Sequence, residues 1–191
     1  MRETLHMITV LGLICAISGF SLSFLKEETA PIIAEQILIN VQGPAVHKVF
    51  SPAENDPLAE RKVFTLEDGR SVTVFPYKKN GAIMGVALEN TGPGYGGDIG
   101  VIVGFDLARD TLLGIGITES KETPGIGSAV AEPRFAGQFA GKALAVELSS
   151  KGGNIDAISG ATISSTGTII AVQNAAADYK SLKNAIINAW K

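Results

Sequence analysis

The chain of 191 residues contains little cysteine, little histidine and little charge. Cys15 is the only cysteine, so no disulfide can form within the chain and no group of thiolates can hold a metal. His6 and His47 stand far apart, and neither has a second His, Cys or carboxylate at the spacing of metal ligands. Charged residues make up 18%, the net charge is −3, and Lys and Arg form no dense cluster. These absences argue against a metal enzyme and against a nucleic-acid-binding protein.

The motifs of two common enzyme classes are missing or misplaced. The chain has no G-x-S-x-G, and Ser159–Thr162 has no histidine near it in sequence, which argues against a serine hydrolase. The stretch Gly92–Gly97 satisfies G-x-G-x-x-G, but a dinucleotide fingerprint must open a helix, and the β-rich run Ile99–Phe105 follows instead. We therefore expect either a glycine loop that lets Tyr95 approach a planar ligand or a mobile hairpin loop.

An uncharged run near the N-terminus predicts a membrane span. Met7–Leu25 is nineteen residues without a charge, rich in Ile, Leu, Val and Phe. As a helix it would be about 28 Å long, close to the hydrocarbon thickness of a bilayer. A cleaved signal peptide is the alternative, but the run is long for a signal core and no A-x-A site precedes Lys26. We therefore expect residues 1–25 to be a cytoplasmic tip and a transmembrane anchor.

The residues that flank this run indicate its orientation. Arg2 and the α-amino group precede it, while one lysine and two glutamates follow it at Lys26–Glu28. This weak positive-inside bias predicts a cytoplasmic N-terminus and a soluble domain on the extracytoplasmic side of the cell membrane. Residues 26–60 are expected to be a connector, with a short amphipathic helix after Pro31 and a loop at Ser51–Leu58. This helix is expected either to extend the membrane helix or to lie against the domain.

Beyond the connector, residues 61–191 have the pattern of an α+β domain. Asp68-Gly69 and Asn80-Gly81 are hairpin signals between β-rich runs. The runs predict an antiparallel meander of five strands at Lys62–Leu66, Ser71–Tyr77, Ala82–Leu88, Ile99–Phe105 and Leu112–Thr118.

The C-terminal part of the chain is expected to contain helices and one further strand. It should contain a helix at Ser128–Phe139 broken by Pro133, a strand at Ala143–Leu148, and two helices at Thr166–Tyr179 and Ser181–Trp190. The core candidates of the last two helices are Ile169, Val172, Ala176, Ile186, Ile187 and Trp190.

The segment Asp156–Ser165 combines a glycine turn, a cluster of hydroxyls and a helix start. Gly160 permits a sharp turn and the close approach of a bulky group. Ser164 or Ser165 is expected to cap the following helix, whose exposed N–H groups and dipole would favour an anion such as a phosphate diester. From the residues alone, the segment is either a phosphate site or an ordinary capped helix after a glycine turn.

The loop Glu122–Gly127 has a composition suited to a flat ligand. Pro124 fixes its own φ and the two glycines permit positive φ, so the loop can present backbone N–H groups and one apolar side chain. An isoalloxazine ring needs that mixture. Ile126 is the candidate apolar wall and Thr123 the candidate polar contact. A proline–glycine turn without a ligand is the alternative.

Two motifs carry a resemblance to a known family. The pattern D-x-x-S-G-A-T-x-S, from Asp156 to Ser164, resembles the flavinylation motif of the FMN-binding domain family. The pattern E-T-P-G-I-G, from Glu122 to Gly127, resembles a loop of the G subunits of Rnf-type electron-transport complexes. The C subunit of the sodium-pumping NADH:quinone reductase is a relative of these G subunits. Those G subunits also carry a stretch similar to the one around Tyr95.

This resemblance implies a cofactor and its attachment point. In that family a flavin transferase joins FMN through its phosphate to the threonine of S-G-A-T, which here is Thr162. The residues expected to contact the cofactor are Thr162, Ser159, Gly160, Ala161, Ser164, Ser165, Glu122, Thr123, Pro124, Gly125, Ile126, Gly127 and Tyr95.

The resemblance also implies a function. The chain would be a membrane-anchored subunit that relays electrons through covalent FMN, beside iron–sulfur, flavin and membrane subunits of a ferredoxin:NAD oxidoreductase coupled to ion transport. It would not be an enzyme by itself. The alternatives are a non-catalytic anchored interaction or assembly module, and a standalone flavin electron carrier or sensor.

Overall fold

The computed structural model describes residues 1–50 and 53–190, and the chain divides into two compact units, Met1–Asn40 and Val41–Lys191. The expected loop at Ser51–Leu58 therefore has its first two residues outside the described part. Its other residues, 53–58, form neither helix nor strand.

The first unit consists mainly of helix α1 (Arg2–Ile37), which leads into a π-helical turn (Leu38–Gln42). No residue of α1 is buried, and the helix is long and apolar enough to cross a membrane. Of the two placements expected for the helical stretch after Pro31, the structure has the extension of the membrane helix, because α1 continues through this residue. A proline removes one backbone hydrogen bond, and in this long helix the remaining bonds on either side maintain the structure.

The second unit is built on an antiparallel sheet of five strands in the order β1 to β5, which confirms the predicted meander. The strands are β1 (Lys62–Thr65), β2 (Ser71–Lys79), β3 (Ala82–Pro93), β4 (Asp98–Asp106) and β5 (Thr111–Glu119). The β2–β3 turn has positive φ at both Asn80 and Gly81, as a two-residue hairpin requires. β3 extends past the predicted Leu88 to Pro93, which carries the glycine loop Gly94–Gly97 to one end of the sheet.

Helices cover the two faces of this sheet. α2 (Gly43–Val49) lies against β4 and β5, and α4 (Thr162–Ala189) lies against β3 and β4. On β4, Val103 and Phe105 belong to the core under α4, while a Cβ at Gly104 would meet Val49 of α2 at 2.2 Å. Because alternate strand residues point to opposite faces, the two helices lie on opposite sides of the sheet.

α4 is a single helix of 28 residues, so the prediction of two helices at Thr166–Tyr179 and Ser181–Trp190 is wrong. Ser181, expected to begin the second helix, donates its hydroxyl hydrogen bond to the carbonyl of Asp178 and continues the first. The predicted core residues Ile169, Val172, Ala176 and Ile186 are buried, whereas Ile187 and Trp190 are half-buried.

Polar and aromatic contacts fix α4 to the sheet. The ring of Tyr179 stacks on Phe105 with centroids 4.4 Å apart. The buried carboxylate of Asp178 accepts hydrogen bonds from Arg70 at 3.0 Å and from Asn90 at 2.7 Å. A buried carboxylate with donors on both sides is costly to displace, so the helix has one preferred register on the sheet.

The segment between β5 and α4 is made of short turns. The predicted break at Pro133 is confirmed, but of the helix predicted at Ser128–Phe139 only α3 (Pro133–Ala136) is α-helical. The residues on either side form 3-10 turns at Gly127–Ala131 and Gly137–Phe139. The predicted strand at Ala143–Leu148 is wrong. Only single bridges form, from Ala143 to Thr111 and from Leu148 to Ile155, and a third 3-10 turn follows at Ser149–Lys151. The alternating burial of Leu144, Val146 and Leu148 produced the strand pattern without a ladder.

Gly167 sits where α4 approaches β3 most closely, and replacing it should test this packing. A Cβ at Gly167 would lie 2.4 Å from the carbonyl oxygen of Pro93, and a Cβ at Gly92 would lie 2.0 Å from the carbonyl oxygen of Gly167. Alanine usually stabilises an exposed helix by about 1 kcal/mol relative to glycine. Here we expect Gly167→Ala to destabilise the protein by roughly 1–3 kcal/mol, because backbone atoms must move.

Thermal unfolding of the full chain in detergent would measure this effect. Gly137→Ala is the matched control, since Gly137 has φ −68° and nothing within 4 Å of its added Cβ. It should be neutral or slightly stabilising. An unchanged or raised Tm for Gly167→Ala would contradict the close packing of α4 on β3.

Candidate functional site

Three segments distant in sequence meet beside the start of α4. They are the β3–β4 loop with Tyr95, the loop that follows β5 from Glu122 to Gly127, and the turn that leads into α4. They enclose a cavity of about 520 Å³ lined by Tyr95, Glu122, Thr123, Ile126, Gly127, Gly160, Ala161, Thr162, Ile163 and Ser164. This volume is within the usual range for a small-molecule site.

Glu122 holds the three segments together. Its carboxylate is buried, with 7% of the residue exposed. Oε1 accepts hydrogen bonds from the backbone N–H groups of Tyr95 at 2.7 Å and Gly96 at 3.0 Å, and Oε2 accepts one from the hydroxyl of Ser164 at 2.6 Å. One side chain therefore joins the β3–β4 loop to the first turn of α4.

The environment of Glu122 favours its ionised form. Burial raises the pKa of this carboxyl, but the hydrogen bonds from Ser164, Gly96 and Tyr95 together outweigh burial and hold the pKa below its usual value. Within the described residues, no lysine, arginine or histidine forms an ion pair with it. The charge is thus stabilised by donors rather than by a cation.

Glycines make room for this carboxylate. A Cβ at Gly127 would lie 2.3 Å from Oε2 of Glu122, and a Cβ at Gly94 would lie 2.3 Å from Oε1. Both distances are far below van der Waals contact, so any side chain at either position would displace the carboxylate. Neither Gly127 nor Gly94 has positive φ, so close packing rather than backbone conformation requires glycine at these two positions.

The turn before α4 exposes the start of the helix. Gly160 has φ +79°, a conformation that glycine adopts without strain. The first backbone bond of the helix runs from the N–H of Ser165 to the carbonyl of Ala161, and no side chain caps the N–H groups before it. A helix start with free N–H groups carries partial positive charge and attracts anions.

The expectation that Ser164 or Ser165 caps this helix is wrong. α4 begins at Thr162, so both serines lie inside its first turns, and both are buried. Ser165 Oγ instead accepts from the N–H of Ile158 at 3.0 Å and donates to the carbonyl of Ala161 at 2.9 Å. Because the hydroxyls of both serines bond elsewhere, they do not cap the N–H groups at the helix start, which are free to bind a ligand.

The hydroxyls of this region differ in whether they have partners. Ser164 donates to Glu122, Ser165 to Ala161, and Thr166 and Thr168 to carbonyls one turn back, at Thr162 and Ser164. Within the described chain, the exposed hydroxyls of Ser159 and Thr162 make no hydrogen bond. Thr162 lines the cavity, whereas Ser159 lines a separate cavity.

Large apolar side chains lie exposed around the cavity. Tyr95 is 73% exposed, Ile163 53% and Ile126 50%. Exposed apolar side chains that converge on one cavity are typical of a ligand or partner site. The loop sequences predict Tyr95 and Ile126. They do not predict Ile163, because a single apolar residue between Thr162 and Ser164 gives no pattern.

Most of the predicted contact residues come together, but four do not line the cavity: Pro124, Gly125, Ser159 and Ser165. The N–H of Gly125 donates to Ser128 Oγ at 2.9 Å, and its φ is +76°. Pro124 and Gly125 therefore shape the loop that presents Ile126 without facing the cavity themselves.

Sequence comparisons identify the family of this chain. Residues 94–177 match the family model of the FMN-binding domain. Over 188 residues the chain is 30% identical to the G subunit of the ion-translocating oxidoreductase complex of Methanosarcina acetivorans, and the match covers 95% of this chain and 98% of that protein. The protein of the same name from Escherichia coli O157:H7 is 34% identical over 185 residues, covering 89% and 87%.

Solved structures share the fold. The crystal structure of the C subunit of Na⁺-translocating NADH-quinone reductase from Parabacteroides distasonis is similar with a TM-score of 0.51 and 26% identity, over 59% of this chain and 63% of that one. NqrC of Shewanella oneidensis has a TM-score of 0.53 at 22% identity, over 66% and 69%, and shows the fold alone. Residues 94–177 of this chain match the FMN-binding domain, and the chain belongs to the family of the G subunits of ion-translocating oxidoreductase complexes.

Proposed function

We propose that this chain is a membrane-anchored subunit that carries electrons in an Rnf-type ion-translocating oxidoreductase complex, through FMN esterified to Thr162. The observation that carries the proposal is the state of the Thr162 hydroxyl. It is exposed, has no partner within the described chain, lines the cavity and lies at an uncapped helix start. The other hydroxyls of α4's first two turns are already engaged.

The residues present fit the phosphate of FMN. No lysine or arginine lines the cavity, and its only charged lining residue, Glu122, turns both carboxylate oxygens toward protein donors. The free N–H groups at the start of α4 and the helix dipole are then the groups available to hold a phosphate diester on Thr162.

The residues present also fit the flavin ring. Tyr95, Ile126 and Ile163 supply apolar surface, and Thr123 supplies polar groups at the rim of the cavity. When bound, FMN supplies reversible uptake and release of electrons, chemistry that no side chain of this site offers. The protein's own part is to attach, orient and partly shield the group while leaving one side of it open to neighbouring carriers.

Attachment requires an activated flavin donor and a transferase. Thr162 Oγ would attack the flavin-side phosphorus of a flavin dinucleotide, a phosphoanhydride. The new Oγ–P bond replaces the anhydride P–O bond, the nucleoside monophosphate leaves, and the hydroxyl proton passes to a base of the transferase. No electrons are exchanged in this step, and the flavin ring is unchanged by it.

A covalent tether and a membrane anchor suit an exposed carrier. α1 would hold the domain at the membrane, and the weak charge bias around the span favours a domain on the extracytoplasmic side. A tethered group keeps a high effective concentration at its site even when contacts with its ring are few. The ring can then be open enough to exchange electrons with other subunits of the complex.

The test is the mass of the chain purified from its native membrane. We expect an intact mass above that of the amino acids by one esterified FMN, and a fluorescent band after denaturing electrophoresis, because an ester survives unfolding. Tryptic digestion should place the adduct on peptide 152–180, and fragmentation should place it on Thr162. Native protein with only the mass of its amino acids would overturn the proposal and favour an interaction or assembly module.

A further inference from the structure

We infer that Gln138 is a positioning residue for the attachment of FMN, because it holds the loop that presents Thr162. The inference rests on the proposed function. Gln138 belongs to neither sequence motif and lies 24 positions before Thr162. It does not line the Thr162 cavity, so any effect on attachment must pass through the loop.

The side chain of Gln138 clasps the backbone at Asp156, the first residue of the D-x-x-S-G-A-T segment. Its Oε1 accepts from the N–H of Asp156 at 2.8 Å, and its Nε2 donates to the carbonyl of the same residue at 3.1 Å. A primary amide that satisfies both backbone groups of one residue acts like a single step of strand pairing. Together with the hydrogen bond that Ser149 Oγ donates to the Asp156 carboxylate at 2.7 Å, this clasp fixes the entry of the loop in position and direction.

The far end of the loop is fixed by α4. Ser165 Oγ accepts from the N–H of Ile158, and the N–H of Ala161 donates to the carbonyl of Ile158 at 3.0 Å. The loop is thus held at Asp156 and again between Ile158 and Ala161. Ser159 and Gly160 remain exposed at its tip.

The clasp is itself anchored in the core. Gln138 lies between Gly137 and Phe139 in a 3-10 turn, and Phe139 is completely buried with its ring against Phe135 at 5.6 Å. The backbone of Gln138 is therefore held rigidly. The clasp transmits this rigidity to a loop that has few apolar contacts of its own, since Asp156 and Ala157 are exposed.

A fixed loop matters because attachment requires Thr162 Oγ to reach a phosphorus atom in a partner's active site. Loss of the clasp leaves the bond from Ser149 to the Asp156 side chain but releases the Asp156 backbone, so the loop can sample other conformations. The reaction rate then falls with the fraction of molecules that present the hydroxyl correctly. Two neutral hydrogen bonds of ordinary strength predict a fall of roughly tenfold in the attachment rate.

The experiment uses the full chain in detergent, produced without the transferase, then mixed with transferase and flavin adenine dinucleotide. Attachment is followed by intact mass at a temperature where every variant is folded. Gln138→Met keeps the length of the side chain but removes both hydrogen bonds to Asp156, together with the longer one from Nε2 to the carbonyl of Arg134 at 3.4 Å. Gln173→Ala is the control, because Gln173 also bonds a backbone carbonyl, that of Val146 at 2.9 Å, away from this loop.

We expect Gln138→Met to lower kcat/KM for attachment roughly tenfold and to speed hydrogen exchange of the Asp156 amide, with Gln173→Ala unchanged in both. If Gln138→Met does not fold, Gln138→Glu decides, since it keeps the acceptor but replaces the donor by a carboxylate oxygen that repels the Asp156 carbonyl, and it should also be slowed. Wild-type rates for the variant that folds would overturn the inference and leave the proposed function standing. Failure of the wild-type chain to accept flavin would instead overturn the proposed function, and this inference with it.

Discussion

Thr162→Ala, purified from its native membrane, should have only the mass of its amino acids and no visible absorbance. The substitution removes the only cavity-lining hydroxyl of α4 that has no hydrogen-bond partner within the described residues. The fold should be retained. Thr162 is exposed, alanine favours a helix, and the backbone carbonyl that accepts from Thr166 is still present. Thermal unfolding would measure whether the fold is retained, and flavin fluorescence after denaturing electrophoresis of the same sample would measure whether flavin is attached.

Two further variants, one that introduces a serine and one that removes a serine, test whether the effect is specific to the Thr162 hydroxyl. Thr162→Ser keeps the attacking oxygen and should still carry flavin, at a lower level because the loss of the γ-methyl group frees the rotation of the side chain. Ser159→Ala should be fully loaded, because Ser159 faces the other cavity although it is also exposed and unpartnered. A flavin-sized adduct on peptide 152–180 of Thr162→Ala would show that another hydroxyl is the acceptor.

The sheet could be predicted from the sequence because its signals are local. Asn80 and Gly81 both have positive φ in the β2–β3 turn, and the period-two runs on either side are strands that begin at the predicted residues. The sequence pattern starts α4 at Thr166, four residues later than its true start at Thr162. Serine and threonine are weak helix formers that usually cap, but here their hydroxyls bond to Glu122 and to carbonyls within the helix. Long-range contacts overrode the local preference.

The candidate site could be predicted only in part for the same reason. Each motif identified its own segment, and Thr162 and Ile126 do line one cavity. The role of Glu122 could not be predicted, since its partners lie 26 and 27 positions before it and 42 after it. The loop motif predicts that Glu122 contacts the cofactor. In the structure both carboxylate oxygens of Glu122 instead accept hydrogen bonds from protein donors, although the residue still lines the cavity.

Glu122→Ala should be strongly destabilising. It leaves two backbone N–H groups and the Ser164 hydroxyl without their acceptor at a buried position, and the expected loss is roughly 3 kcal/mol in the free energy of unfolding. Glu122→Gln should lose less, about 1 kcal/mol, because its single oxygen can still accept from both N–H groups while its amide donates to Ser164 Oγ. Glu119→Gln is the control, because Glu119 is exposed and forms a surface ion pair with Lys121 at 3.2 Å.

The difference in the free energy of unfolding between wild type and Glu122→Gln should depend on pH, and it should become smaller as the pH falls. The folded-state pKa of Glu122 lies below its ordinary value of 4.5, so ionised Glu122 stabilises the folded state above about pH 4.5. This contribution is lost as the pH falls through the folded-state pKa, and the two proteins should then approach equal stability. Other carboxylates titrate in both proteins and cancel in the difference. The difference should also persist at high salt, because hydrogen-bond donors rather than an exposed cation stabilise the charge. Urea unfolding of both proteins at about pH 7 and about pH 3 would measure this difference in stability. A difference that is larger at the acidic pH would show that Glu122 is held protonated in the folded chain.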